Sequence, residues 1–245
     1  MKKTAEDIPF YDLHSHFLPG MDDGAKTPRV SLAMLSEMKA QGLKGIVSTS
    51  HYYARHESIE SFLKRRQAAF ELLTEAADKA NFDLPPIALG SEVAYYSGLV
   101  YDDDLEKLCF GNSNFLLLEM PFSRWTPEVM RDVRQIAASR NIRVIIAHLE
   151  RFTGIGSKDQ IEELIESPAL IQVNAENFYT KSEQKPIVKM IKSGWVQLLG
   201  SDSHNMENRP PNMNTAIEKL QKAGLTDELY EILANNRAVV KAALE

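Results

Sequence analysis

Short apolar runs alternate with longer amphipathic runs along all 245 residues of the chain. β-Branched residues are frequent in the short runs, whereas the longer runs repeat apolar positions every three or four residues, which predicts strands that alternate with helices. Short connections between such elements place the strands parallel to one another. The predicted strands span residues 10–14, 45–50, 86–92, 115–119, 143–148, 170–174 and 196–200, and the predicted helices span 31–41, 58–80, 127–140, 158–166, 183–192, 213–223, 227–233 and 237–244.

A polar side chain lies at or just past the end of each predicted strand. These side chains belong to His14 with His16, His51, Glu92, Glu119, His148, Asn174 and Asp202. An open sheet gathers its ligands at one crevice, and only closure brings all the strand ends around a single centre. The sequence therefore predicts an α/β fold, a distorted seven-stranded TIM-like (β/α)7 barrel, with a metal site at the C-terminal face of its strands. No linker interrupts the pattern, which predicts one domain over residues 1–245.

The residue types at these strand ends are those that bind metal ions. His14 and His16 are separated by one residue, so both imidazoles point to the same side of an extended segment. A lone histidine that caps a helix, or a glutamate at the surface, would be an ordinary structural feature, but their joint occurrence favours a metal site. Mixed imidazole and carboxylate ligands without thiolate suit Mn, Fe or Zn. Nine residues are candidates to hold two or three ions: His14, His16, Asp23, His51, Glu92, Glu119, His148, Asp202 and His204.

Two arginines follow candidate ligands closely. Arg151 lies three residues after His148, and Arg209 lies five residues after His204. Because a planar guanidinium binds phosphate oxygens in bidentate fashion, the two arginines indicate a phosphate ester or another oxyanion as the substrate. The alternative is that both form ordinary surface salt bridges.

Other polar and aromatic residues have structural interpretations. Asp22 is expected to form an Asp-Gly turn, and His56 is expected to be solvated or to cap the second helix. The basic cluster at 64–66 is expected to lie on a solvated helix face. Trp125 and Trp195 are expected to pack in the interior.

Composition excludes several classes of protein. The net charge of −6 argues against a nucleic-acid partner. No apolar run is long enough for membrane insertion, and the first ten residues lack the apolar segment of a secretory signal. The single cysteine, Cys109, is consistent with a cytoplasmic protein. A cysteine-dependent phosphatase needs an arginine six residues after its thiolate, and Phe115 occupies that position here.

Several motifs resemble those of the PHP (polymerase and histidinol phosphatase) superfamily, and within it the bacterial capsule-associated tyrosine phosphatases of the CpsB/YwqE type. The resemblance extends over nearly the whole chain, and its Asp-Asp-Gly and Arg-Pro-Pro motifs are more specific than the general PHP pattern. The matching segments are Asp-Leu-His-Ser-His at 12–16, Asp-Asp-Gly at 22–24, Ile-Val-Ser-Thr-Ser-His at 46–51, Gly-Ser-Glu-Val at 90–93, Ala-His-Leu-Glu-Arg-Phe at 147–152, Gln-Val-Asn at 172–174, and Ser-Asp-Ser-His-Asn from 201 followed by Arg-Pro-Pro at 209–211.

The resemblance implies a manganese-dependent protein-tyrosine phosphatase with three metal ions. It implies three ligand sets, namely His14, His16, Glu92 and Asp202 for one ion, a bridging Glu92 with Glu119 and His148 for the second, and Asp23, His51 and His204 for the third. Arg151 and Arg209 match the phosphate-binding arginines of the family. For such a reaction, a metal-bound water and Asp202 are the two candidates to protonate the leaving phenolate. The implied substrate is a tyrosine-phosphorylated bacterial kinase that controls capsule or exopolysaccharide synthesis.

Three other functions stay open. A histidinol-phosphate phosphatase of the PHP type would share almost every ligand. Amidohydrolases also begin with His-x-His, but many bridge their metals with a modified lysine on the fourth strand, and Leu118-Glu119-Met120 contains none. A catalytically silent binding module is the third alternative, although such domains often lose ligands that this chain keeps.

Overall fold

Parallel strands and helices alternate through the residues that the computed structural model describes, which are 8–139, 141–178 and 180–245. The first seven residues of the predicted domain and the predicted helix end at Arg140 lie outside these ranges. The strands are β1 (Phe10–Asp12), β2 (Leu43–Ser48), β3 (His51–Tyr52), β4 (Ile87–Leu89), β5 (Glu92–Ala94), β6 (Phe115–Glu119), β7 (Arg143–Ile146), β8 (Leu170–Asn174) and β9 (Leu198–Gly200).

The strands form two parallel sheets, one of three strands in the order β1-β2-β4 and one of six in the order β3-β5-β6-β7-β8-β9. The unbroken strand expected at 86–92 is wrong, because β4 ends at Leu89 and β5 begins at Glu92 in the other sheet. The strand expected at 45–50 is confirmed only as far as Ser48, where β2 ends. Between β4 and β5 the carbonyl of Leu89 accepts from the Gly111 backbone N–H at 2.8 Å, while the Gly90 N–H donates to the Ser48 carbonyl of β2 at 2.8 Å.

The parallel sheet curls around an inner cluster of apolar side chains. Leu117 and Ile145 from the middle strands meet Leu198 from the last strand and Leu13, which directly follows the first strand, in this cluster. A much larger cluster lies between the outer face of the strands and the helices. The predicted parallel α/β architecture is therefore confirmed as a curled sheet, whereas a closed barrel of seven strands is not.

Backbone and side-chain hydrogen bonds connect the chain around the first strand to the chain around the last one. A single parallel bridge joins Ser15 to Ser203. The buried carboxylate of Asp12 accepts from the Ser201 backbone N–H at 3.0 Å and from its hydroxyl at 2.5 Å. The buried amide of Asn236 donates to the carbonyls of Tyr11 at 2.9 Å and Leu199 at 2.6 Å.

The helices surround the strands, and the last one lies against the inner cluster. Their bounds are α1 (Pro28–Ala40), α2 (Ile59–Lys79), α3 (Pro127–Ser139), α4 (Lys158–Glu166), α5 (Lys181–Lys192), α6 (Met213–Lys222) and α7 (Thr226–Leu244). Thr27 caps α1 and Pro28 occupies its first turn, so this helix begins before the expected Ser31.

The two helices expected at 227–233 and 237–244 form one helix, α7. Asn236, within the expected break, lies inside this helix because its amide bonds to strand backbone. No helix in the described part of the chain is both long and apolar enough to cross a lipid bilayer.

Candidate metal centre

His14 and His16 follow β1 directly and are fully buried, with their Nε2 atoms 3.3 Å apart. The Nδ1 atom of His14 donates to Gln172 Oε1 at 3.2 Å, and that of His16 donates to Asp22 Oδ2 at 2.9 Å. These contacts place the proton on Nδ1 and leave both Nε2 atoms available as ligands.

Glu92 begins β5 and lies at the middle of the cluster. Its Oε2 atom is 3.4 Å from His14 Nε2, 3.3 Å from His16 Nε2 and 3.0 Å from His51 Nδ1. Although burial opposes ionisation, His14 and His51 hold the pKa of Glu92 well below its usual range. The same Oε2 atom is buried and has no hydrogen-bond partner among the described residues. Leaving a buried acceptor unpaired is unfavourable, and a divalent cation among these four groups would satisfy it. The donor set therefore fits a metal ion.

His148 and Glu119 lie on the other side of Glu92. His148 Nε2 is 2.7 Å from Glu92 Oε1 and 3.4 Å from Glu119 Oε1. Burial disfavours the charged imidazolium, but contacts with Glu119 and Glu92 outweigh it and raise the pKa of His148 to about 9. Carboxylates that stabilise a protonated imidazole also stabilise a divalent cation at the same place.

Asp23 connects two further histidines at the exposed side of the centre. Its Oδ1 atom is 3.5 Å from His51 Nε2 and 3.4 Å from His204 Nε2. The side chain of Asp23 is 65% exposed, so this group faces solvent. The ring of His204 stacks on that of His16 with 3.9 Å between their centroids, which joins this group to the buried one.

Asp202 links the imidazoles to the arginines because its two oxygens face different partners. Oδ1 lies 3.4 Å from His14 Nε2. Oδ2 accepts from Asn174 Nδ2 at 2.6 Å, from Arg151 Nη2 at 2.7 Å and from Arg209 Nη2. Despite burial, His14 and Arg151 hold the pKa of Asp202 well below its usual range, so it is a carboxylate.

Glu176 holds the two arginines together. Its Oε1 atom accepts from Arg151 Nη2, and its Oε2 atom accepts from Arg209 Nε at 2.9 Å. The side chains of Arg151 and Arg209 are 26% and 27% exposed, so a ligand can reach both. Arg209 Nη1 also lies 2.9 Å from His204 Nε2, which means that an ion bound by this imidazole would displace the guanidinium.

All nine predicted ligands lie in at least one group of potential metal-binding atoms that are mutually within 4.8 Å. The groups are His14, His16 and Glu92; His14, His148 and Asp202; His51, Glu92 and Glu119; and His16, Asp23, His51 and His204. Asp202 thus groups with His148, and His16 also belongs to the exposed group with Asp23. The family resemblance instead implies that Asp202 and His16 share an ion with His14 and Glu92.

Two of the glycines at which no side chain fits lie against the histidines of the centre. A Cβ on Gly24 would lie 2.1 Å from the His16 carbonyl oxygen, and one on Gly200 would lie 2.6 Å from His14 Cβ. Both glycines therefore permit the close packing that brings His14 and His16 to the centre.

Sequence reasoning missed three residues that orient the centre. Asp22 forms the expected turn by accepting from Gly24 N at 2.9 Å, but it also binds His16. Gln172 binds His14, and Glu176 binds both arginines. Gln172 offered a signal, because it is a polar residue inside an otherwise apolar strand, whereas nothing in the sequence distinguishes Glu176.

Most of the residues for which the sequence predicted a structural role, rather than a ligand role, are placed as predicted. His56 is exposed and belongs to none of the four groups, Trp125 is buried, and Trp195 packs against the core. The fully solvated face predicted at 64–66 is wrong at Arg66, which is partly buried and donates to the Gly90 carbonyl at 2.9 Å. Burial raises the pKa of the Cys109 thiol to about 12, which argues further against a cysteine nucleophile.

Imidazoles and carboxylates clustered at the C-terminal ends of parallel strands, with arginines beside them, are typical of metal-dependent hydrolases. The chain belongs to the CpsB/CapC family of capsular polysaccharide synthesis, whose sequence profile matches residues 10–241. The predicted family is therefore confirmed.

Individual relatives agree with this family. The chain is 28% identical to the tyrosine-protein phosphatase CpsB of Streptococcus pneumoniae, over 92% of this chain and 95% of that protein. It is 25% identical to the tyrosine-protein phosphatase YwqE of Bacillus subtilis, over 94% and 91%. Its fold matches a crystal structure from a study of YwqE and CpsB as metal-dependent tyrosine phosphatases, with a TM-score of 0.81 at 20% identity, over 95% of this chain and 94% of that one.

Proposed function

We propose that the chain is a single-domain, metal-dependent protein-tyrosine phosphatase. The observation that carries the proposal is the buried, unpaired Oε2 atom of Glu92, which lies among three imidazoles at the strand ends. The relatives named as tyrosine-protein phosphatases support the reaction. A distorted seven-stranded barrel is part of this proposal, because the Ser15–Ser203 bridge brings the first and last strands together.

Manganese is the proposed metal, at two or three positions, with Fe or Zn as alternatives. The proposed ligands are those that sequence analysis assigned: His14, His16, Asp23, His51, Glu92, Glu119, His148, Asp202 and His204. When bound, the ions would supply Lewis acidity toward phosphate oxygens and a nucleophile from water near neutral pH.

Arg151 and Arg209 are proposed to bind the phosphoryl group. Both guanidinium groups face the centre and are held in place by Asp202 and Glu176. A phosphate that enters between them would exchange these carboxylate partners for its own oxygens, in the bidentate geometry that arginine favours. Fixed positive charge at this place stabilises the charge of the phosphoryl oxygens during transfer.

Asp202 is proposed to orient the arginines and to bind metal rather than to donate a proton. An ionised carboxylate whose Oδ2 accepts three hydrogen bonds has no proton for the leaving group. A departing phenolate has a pKa of about 10, far below that of an alkoxide, and needs less help from a general acid.

The proposed substrate is a cytoplasmic, tyrosine-phosphorylated bacterial kinase that controls capsule or exopolysaccharide synthesis. Membership of the capsular polysaccharide synthesis family supports this proposal.

Phosphate release by the Mn²⁺-loaded protein tests the reaction. A phosphotyrosine peptide and histidinol phosphate would be compared, each with and without EDTA. We expect preferential cleavage of the peptide and its loss in EDTA. His56→Ala is a matched control, since this exposed imidazole lies near the centre but outside its four groups.

Two other results would change the assignment. Preference for histidinol phosphate would keep metal-dependent phosphate chemistry and replace the protein substrate with that small molecule. No release from either compound, in protein that binds Mn²⁺, would instead favour a silent binding module.

A further inference from the structure

A cleft of about 360 Å³ opens beside the candidate metal centre. It lies between segments 53–55, 94–96 and 119–123, and Glu119 forms part of its wall. Since Glu119 also contacts His148 at 3.4 Å, the cleft is continuous with the centre.

The rings of Tyr53 and Phe122 both line this cleft, and each lies near a candidate ligand. The ring of Tyr53 stacks on His51 with 5.2 Å between centroids. The ring of Phe122 lies 6.4 Å from that of His148 and packs against Phe152 at 4.9 Å. Phe122 is nevertheless 59% exposed, so its ring is accessible to a ligand that enters the cleft.

The back of the cleft is rigid because two further tyrosines are anchored by their hydroxyl groups. Tyr95 donates to Asp132 Oδ2 at 2.8 Å, and Tyr96 donates to Asp102 Oδ2 at 2.8 Å. Rings held in this way lose little conformational entropy when a ligand packs against them.

A second cleft, of about 340 Å³, lies on the other side of Tyr53 and has a different character. Asp22, Asp23, Glu57 and Arg65 line it, and Arg65 pairs with Glu57 at 2.7 Å. An apolar ring placed there would remove these charges from water without replacing their hydrogen bonds, which is unfavourable. Of these two clefts, the first has the aromatic walls that suit an aryl group.

We propose that the cleft between Tyr53 and Phe122 binds the aryl ring of the phosphate ester, and that Phe122 is the residue of this cleft that determines the preference for a ring. This inference rests on the proposed phosphatase function and deepens it. In phosphotyrosine a ring separates the phosphate from the peptide backbone, so the ring can fill the cleft while the phosphate reaches the metals. In phosphoserine one carbon separates the phosphate from the backbone, which leaves the aromatic walls without a partner.

Binding of two phosphonates tests the cleft without requiring turnover. Phenylphosphonate and methylphosphonate carry the same anionic group and differ in the ring. Calorimetry on the Mn²⁺-loaded protein should show that phenylphosphonate binds about tenfold more tightly, since burial and ring contacts amount to about 1.4 kcal/mol.

Phe122→Ala should remove most of this preference, and Phe122→Leu should restore only part of it, because leucine keeps apolar volume but not the ring. Both substitutions affect a partly exposed side chain, so the fold should persist. Tyr101→Ala, which removes a 69% exposed ring outside the cleft, should keep the full preference.

The kinetic counterpart is the ratio of kcat/KM for phenyl phosphate over glycerol 2-phosphate, which should fall about tenfold in Phe122→Ala. Equal affinity of the two phosphonates for the unmodified protein, or an unchanged preference in Phe122→Ala, would overturn the assignment of the cleft. Failure of the proposed function has a separate signature, since it would appear as no release from the phosphotyrosine peptide whatever the phosphonates do.

Discussion

Replacing Asp22 by asparagine should weaken metal binding even though Asp22 is not a predicted ligand. Its Oδ2 atom accepts from His16 Nδ1 and from the His51 backbone N–H, each at 2.9 Å, and its Oδ1 atom accepts from the Gly24 N–H at 2.9 Å. Burial opposes ionisation, but His16 lowers the pKa of Asp22 to about 2, so three donors share one carboxylate.

An asparagine at this position has a single oxygen and cannot serve all three donors. If its NH₂ group takes the place of Oδ2, it faces the His51 N–H and can pair with His16 only when the imidazole proton moves to Nε2, the atom that would bind metal. If the NH₂ group takes the place of Oδ1, it faces the Gly24 N–H instead. Residues that orient a ligand in this way typically contribute 10–100-fold to metal affinity, which is about 1.4–2.8 kcal/mol.

Competition with a fluorescent chelator measures this change as the Mn²⁺ affinity of Asp22→Asn relative to the unmodified protein. Asp102→Asn is the matched control, because Asp102 also accepts a backbone N–H in a turn, at 3.0 Å from Asp104 N, and belongs to none of the groups of potential metal ligands. Wild-type Mn²⁺ affinity in Asp22→Asn would refute the argument that the tautomer of His16 is set by its carboxylate partner.

Four further predictions follow from the centre. Arg151→Ala should lower turnover of a phosphotyrosine peptide about 100-fold while atomic emission finds the metal content unchanged, and full activity would remove this arginine from the mechanism. His148→Ala should lower both metal content and turnover, whereas His56→Ala should keep both; unaltered metal content in His148→Ala would contradict its ligand role. Glu176→Gln should lower kcat/KM about tenfold, because the amide oxygen can hold only one of the two guanidinium groups. Glu163→Gln, which changes a carboxylate that pairs with Arg134 at 3.0 Å and belongs to none of the four groups, should not. Removing Mn²⁺ with EDTA should lower the melting temperature by about 5–10 °C relative to protein at about 100 times Kd, and identical melting curves would argue against a metal held by the folded state.

The candidate ligands could be recognised in the sequence because polar residues stand out after apolar strands. Along β6, Phe115 and Leu117 point into the inner cluster while Leu116 and Leu118 point outward, so alternation places Glu119 inward. The same alternation along β8 puts Gln172 on the inner side, although its contact with His14 could not be foreseen without the register between strands.

The connections that close the fold could not be predicted, because they depend on contacts between residues distant in sequence. Asn236 lies in the expected break between two helices, and asparagine is a weak helix former. Its buried amide donates to the carbonyls of Tyr11 and Leu199, and these contacts outweigh the low helix propensity. The strand predicted at 86–92 is interrupted after Leu89, whose carbonyl accepts from the Gly111 N–H, and no local sequence pattern predicts this contact.

Backbone conformation explains why His148 reaches the centre although strand alternation would turn it away. Ile145 and Ala147 belong to the inner cluster, and Val144 and Ile146 to the outer one, so an extended residue 148 would point outward. The strand instead ends at Ile146, and His148 has a φ of 33°, in the left-handed region that costs a residue with a side chain about 1–3 kcal/mol. Its backbone N–H donates to Gln172 Oε1 at 2.8 Å, which offsets part of this cost and connects the turn to the residue that orients His14. The same turn begins the short helix that carries Arg151, so one strained residue brings a candidate ligand and a candidate phosphate-binding group to the same centre.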